Sequence, residues 1–137
     1  MPLASSAKII DLIANSKDPK RDMIASIGDL SDVHVMFNMV LLGTYFRPQK
    51  TAGGIIRPDG NVGEDEWQGK VGLVLKLGSK AFVDDGEDVF YGETVVPGDW
   101  AVYFVNDARS IVLNGYPCRM IRDSSIKLKV KNPNIVF

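Results

Sequence analysis

The sequence predicts a mainly β domain, a small antiparallel barrel or sandwich preceded by a short helical segment. Two observations predict the class. The hydrophobic period changes at Val33 from helical spacing to strict alternation, and several further strand-like runs follow, separated by Gly, Pro, Asn and Asp. A third bounds the size: 137 residues, 45% hydrophobic and 24% charged, make one domain. A chain of that length buries roughly two-thirds of its unfolded surface and needs neither disulfide nor metal to fold.

Residues 1–33 read as a helical extension. Ser5 or Ser6 caps a first helix in which Ile9, Leu12 and Ile13 make one buried stripe. Asp18 and Pro19 form the cap and first turn of a second helix, with Met23, Ile24 and Ile27 as its stripe and Gly28 as its stop. Helices this short are marginal alone, so both need a surface to dock on.

From Val33 the alternation of Val33, Val35, Phe37, Met39 and Leu41 with His34, Met36, Asn38, Val40 and Leu42 predicts a strand with one firmly apolar face. Further strands are predicted over Gly69–Leu77, Trp100–Val105, Arg109–Leu113, Tyr116–Ile121 and Ile126–Val130. Asn114-Gly115 joins the fourth and fifth of these six strands as a tight hairpin turn. Two long connections interrupt the pattern: Arg47 to Gln68, rich in glycine, and Gly78 to Gly98, which carries the acidic run Asp84-Asp85-Gly86-Glu87-Asp88 as the tip of an expected hairpin. Long connections in a compact domain are usually functional or disordered.

Composition excludes most chemistry. A net charge of −1 argues against a nucleic-acid binder, which needs a surplus of Lys and Arg. Charge is uneven, however: net +2 over residues 1–58, −7 over 59–99 and +4 over 100–137. No apolar run is long enough to span a bilayer, and no secretory signal is read at the amino terminus. A single cysteine, Cys118, permits no intrachain disulfide and fits a cytoplasmic setting. It reads as a buried structural thiol, and the single histidine, His34, as a strand residue rather than a catalytic base. One Cys and one His cannot make a zinc site, Asp84–Asp88 lacks the ligand pattern of a calcium loop, and residues 63–71 miss the phosphate-loop spacing. No enzyme activity, cofactor or metal is expected.

One stretch carries a positive signal. In Lys50-Thr51-Ala52-Gly53-Gly54-Ile55-Ile56 a double glycine precedes two β-branched apolar residues in an otherwise polar connection. Such residues either pack back on their own domain or act as a plug that orders in a partner's groove. That stretch, followed by Gln68-Gly69-Lys70-Val71-Gly72-Leu73-Val74 and Val96-Pro97-Gly98-Asp99-Trp100-Ala101-Val102-Tyr103-Phe104, resembles the GroES-type small co-chaperonin family in order and spacing. Arg122-Asp123-Ser124-Ser125-Ile126 resembles the family's closing segment, and Gly78–Gly92 occupies its roof position.

The resemblance covers residues 34–130 and leaves 131–137 as a tail. It implies a partly open antiparallel β-barrel, a homo-oligomeric ring, sevenfold in the family, and a large GroEL-type chaperonin as partner. The implied chaperonin-binding loop is Gly53, Gly54, Ile55, Ile56 and Arg57, in which Arg57 replaces the usual aliphatic third position. The implied subunit interface joins Val35, Phe37 and Met39 to Ile126, Leu128 and Val130 of a neighbour. Phe37-Asn38 stands where the family has an Asp-Arg pair. Extended, divergent chains of this kind resemble those of tailed bacteriophages, so a phage particle or assembly protein on the same barrel is the alternative to a chaperonin cap. A catalytic or ligand-binding barrel is a third reading, disfavoured by the missing site residues.

Overall fold

The computed structural model of the protein describes residues 9, 12–46, 70–84 and 90–136. It is mainly β. Six strands, β1 (Met39–Thr44), β2 (Val71–Leu77), β3 (Trp100–Tyr103), β4 (Arg109–Leu113), β5 (Tyr116–Arg122) and β6 (Ile126–Val130), form one open antiparallel sheet in the order β4-β5-β1-β2-β3-β6. Among the described residues β4 and β6 are its edges, and β1 is paired on both sides.

A helix, α1 (Pro19–Ile27), lies ahead of the sheet. The Asp18 side chain accepts from Arg21 N at 3.2 Å, Pro19 occupies the first turn, and the Gly28 amide donates to Ile24 O with φ at 80°. Met23 and Ile27 are buried, but Ile24 is 52% exposed, so the buried stripe is narrower than the sequence spacing predicts. Met23 and Ile27, four positions apart, share one side of the helix, and Ile24, about 100° further round, turns away from it. Residues 12–14 are also helical, with Ile13 buried and Leu12 exposed.

The first strand begins later than the alternation predicts. Residues 33–38 lie outside any strand, because Phe37 takes φ of 57° and the chain turns there, with Met39 N donating to Met36 O at 3.2 Å. The apolar alternation therefore continues through a turn, which no periodicity reports. The third strand also stops early, at Tyr103, and a short helical turn, Val105–Asp107, follows. Asn114 (φ 51°) and Gly115 (φ 81°) form the hairpin turn between β4 and β5; both angles belong to the mirror-image turn that Asn-Gly favours. Val96-Pro97-Gly98-Asp99 is a second tight turn, with Asp99 N donating to Val96 O at 3.0 Å and Gly98 at φ of 100°. Among the described residues of 78–98 the expected hairpin strands are absent and turns replace them; Phe90 N donates to Asp84 Oδ1 at 2.9 Å across the segment's midpoint.

The sheet has a core on each face. One gathers Ile13, Met23, Ile27, Leu41, Tyr45, Phe46, Leu73, Trp100, Tyr116 and Cys118 beneath the helical segment. Gly43 makes this packing possible, since a Cβ there would stand 3.1 Å from Ile27 Cδ1 and 3.2 Å from Met23 Cε. The other gathers Val40, Leu42, Val74, Val95, Ala101, Tyr103 and Ile121, with Phe82 and Ile126 packed against it. Alternation along each strand separates the two sets, as a sheet covered on both faces requires.

Candidate functional site

The predicted docking residues Gly53, Gly54, Ile55, Ile56 and Arg57 lie outside the described residues, as do Asp85, Glu87 and Asp88. The two points from which segment 47–69 departs are described. β1 and β2 are antiparallel neighbours, so Phe46 after β1 and Lys70 before β2 leave the sheet at the same end. That end is firmly anchored. Phe46 is buried against the Tyr116 ring at a centroid distance of 6.2 Å, the Tyr116 hydroxyl donates to Thr44 O at 2.8 Å, and Tyr45 meets Trp100 edge-on at 5.2 Å.

The same end carries polar groups the sequence did not single out. Leu42 stands opposite Arg119, Thr44 opposite Gly72, and Gly72 opposite Ala101, with Tyr103 two residues beyond Ala101. Arg119, Thr44 and Tyr103 therefore project from the same face of β5, β1 and β3, and all three are buried. The Arg119 guanidinium carbon lies 6.0 Å from the Tyr103 ring centroid. Gly72 occupies the rung between them without a side chain. Parity was the available signal: in Tyr116–Ile121 the alternation puts Arg119 on the face of Ile121.

The predicted interface residues are spread over two regions. Val35 is buried in the helix-covered core, Phe37 is 66% exposed in its turn, and Met39 is half-buried at the start of β1. Leu128 is exposed on the edge strand β6, flanked by half-buried Ile126 and Val130. β1 itself has no open edge. The closing segment forms a latch: buried Asp123 accepts from Phe82 N at 3.0 Å through Oδ2, and from Ser124 N at 2.6 Å and Asn38 Nδ2 at 3.4 Å through Oδ1.

An apolar hollow of about 330 Å³ lies beside the Phe37 turn, lined by Val35, Phe37, Met39, Ile111, Leu113 and Met120 among others. His34 also borders it and is exposed, outside any strand. Cys118 is buried, and burial pushes its thiol up to about 11, so it is neutral and unreactive at physiological pH. Among the described residues no group of three or more His, Cys, Asp and Glu gathers to hold a metal ion, and no helix is long and apolar enough to cross a membrane. No protein-family model matches the chain, and no curated protein matches it.

Proposed function

We propose that the protein is a co-chaperonin-like ring subunit, a partly open barrel that caps a large chaperonin through residues 53–57. One observation carries the reading. The three resembling blocks occur in family order, and two of them supply the neighbouring strands β2 and β3, with the Gly-Gly-Ile-Ile block on the connection leaving the anchored end of β1 and β2. An apolar tetrapeptide tethered to a rigid end suits docking into an apolar groove. Burying one isoleucine contributes roughly 1.5–3 kcal/mol, while ordering each loop residue costs about 1–2 kcal/mol. One such loop binds weakly, and a ring of them binds usefully, because each docked loop raises the effective concentration of the next.

The alternative is a phage assembly protein on the same barrel. Arg57 favours it, because desolvating an unpaired guanidinium at every docked loop would cost several kcal/mol. Co-sedimentation with a bacterial chaperonin in the presence of ATP separates the two. The parent chain should co-sediment, Ile55→Ser combined with Ile56→Ser should abolish this while light scattering shows the same oligomer, and Arg57→Leu should tighten it. Equal binding by the double serine variant would refute the docking assignment. Absence of binding by both the parent and Arg57→Leu would favour the assembly reading.

A further inference from the structure

Three buried polar atoms at the Thr44 end of the sheet have no hydrogen-bond partner: Arg119 Nε, Tyr103 Oη and Thr44 Oγ1. Their residues are 4%, 2% and 1% exposed. Buried polar atoms are nearly always paired, so three orphans projecting from one face of the β5-β1-β2-β3 part of the sheet form a coherent exception. We propose that Arg119, Tyr103 and Thr44 form a binding site for a small oxyanion, a phosphate or carboxylate group.

The chemistry of the orphans defines what is missing. A guanidinium only donates and keeps its charge, so its partner must be an acceptor. The ion pairs among the described residues, Arg21–Asp22 and Lys129–Asp99, do not include Arg119. The Tyr103 ring, 6.0 Å from the guanidinium carbon, offers its π-face but no lone pair to the N–H groups. Burial holds the Tyr103 hydroxyl up to about 12 against the opposing pull of Arg119, so it remains an O–H donor at neutral pH. Thr44 supplies a second hydroxyl donor. Two hydroxyls and a fixed cation on one face of the sheet, the cation 6.0 Å from the Tyr103 ring, suit an oxyanion, whose several lone pairs can accept from all three. Water can accept hydrogen bonds but leaves the buried charge uncompensated. Gly72 contributes by omission: a Cβ there would stand 2.9 Å from Leu42 Cβ, on the rung that separates Arg119 from Tyr103. The site is independent of the chaperonin reading, since none of these residues belongs to segment 53–57.

The test is titration of the full chain with sodium phosphate and, separately, sodium acetate, each against sodium chloride at matched ionic strength. Isothermal calorimetry and the thermal midpoint are the readouts. A saturable heat and a rise in midpoint with phosphate or acetate, absent with chloride, are expected. Tyr103→Phe deletes one hydroxyl at nearly constant volume and should weaken binding about tenfold or more, the loss typical of one hydrogen bond to a charged group. Arg119→Met should abolish binding. If Arg119→Met does not fold, Tyr103→Phe decides. The proposal is overturned if neither anion binds saturably, as when water fills the site, or if Tyr103→Phe binds as tightly as the parent.

Discussion

Gly78→Ala should be among the most damaging single-methyl additions this chain can receive. Gly78 follows β2 where the chain meets the Phe37 turn. Its amide donates to Met39 O at 2.9 Å, and Lys80 N donates to Phe37 O at 2.9 Å. A Cβ on Gly78 would stand 2.2 Å from Phe37 O, 2.7 Å from Met36 O and 2.9 Å from the Met36 carbonyl carbon. All three are backbone atoms, so no rotamer change relieves the clash and the turn itself must move by about 1 Å. Overpacking of that kind costs about 1–3 kcal/mol, and disturbing the two hydrogen bonds adds about 1 kcal/mol each. A loss of about 3–5 kcal/mol is a large part of the ~5–15 kcal/mol that holds a domain folded. In urea, where the slope for a small domain is about 1–3 kcal/mol per molar, the midpoint should fall by about 2 M. Gly92→Ala is the internal control. Gly92 has φ of 82° but open space around its Cβ position, so alanine there meets backbone strain alone, about 1–2 kcal/mol. A Gly78→Ala midpoint within about 0.5 M of the parent, or a Gly92→Ala loss as large as that of Gly78→Ala, would refute the close-approach argument.

Two further outcomes follow from the structure. Asn114→Ala loses the bonds from Nδ2 to Ile27 O at 2.9 Å and to Asp29 O at 3.1 Å, as well as a residue suited to φ of 51°, and should lower stability by about 2 kcal/mol; Asn114→Gly restores the turn but not the bonds and should recover part of it in the same urea assay. At alkaline pH, Cys118 is raised by burial from 9.0 to about 11 and Tyr103 from 10.0 to about 12, with Tyr116 raised further by its burial. The unfolded chain then binds fewer protons than the folded one above pH 9, so stability is fully present below that pH and falls by up to about 1.4 kcal/mol per pH unit for each titrating group; Cys118→Ala should remove the loss that begins near pH 9 and leave the one beginning near pH 10.

Much of the strand pattern was legible because local chemistry and long-range packing agree there. β4 and β6 have the predicted bounds, and the Asn114-Gly115 turn lies where the dipeptide indicates. The start of β1 was not legible. Val33 to Met39 has the alternation of a strand, and only the Phe37 turn, held by the Lys80 amide on Phe37 O, breaks it. That bond joins residues 43 positions apart in a chain where Phe37 itself disfavours a positive φ, so local propensity points the wrong way. Ile24 shows the same limit on α1. Its spacing from Met23 and Ile27 is helical, but which of the three is covered depends on where Leu75 and Gly43 stand beneath the helix.

The polar residues Thr44, Tyr103 and Arg119 were harder to see than the proposed docking segment, and the reason is sheet order. Residues 50–56 are contiguous, so their chemistry can be read in one window. Thr44, Tyr103 and Arg119 come from β1, β3 and β5, and only the arrangement β5-β1-β2-β3 brings them to one end of one face. A buried charge is not in itself a sign of a site, and Asp123 shows why. It is as buried as Arg119, yet its carboxylate accepts from Phe82 N, Ser124 N and the Asn38 amide, so the fold supplies its partners and its role is to hold the segment before β6. Arg119 Nε has no comparable partner, and the Tyr103 and Thr44 hydroxyls on the same face of the sheet are orphaned with it. A fold that satisfies one buried charge with three donors and leaves the other with no bonded acceptor has room in its hydrogen bonding for one, and the charge of Arg119 favours an anion in that role.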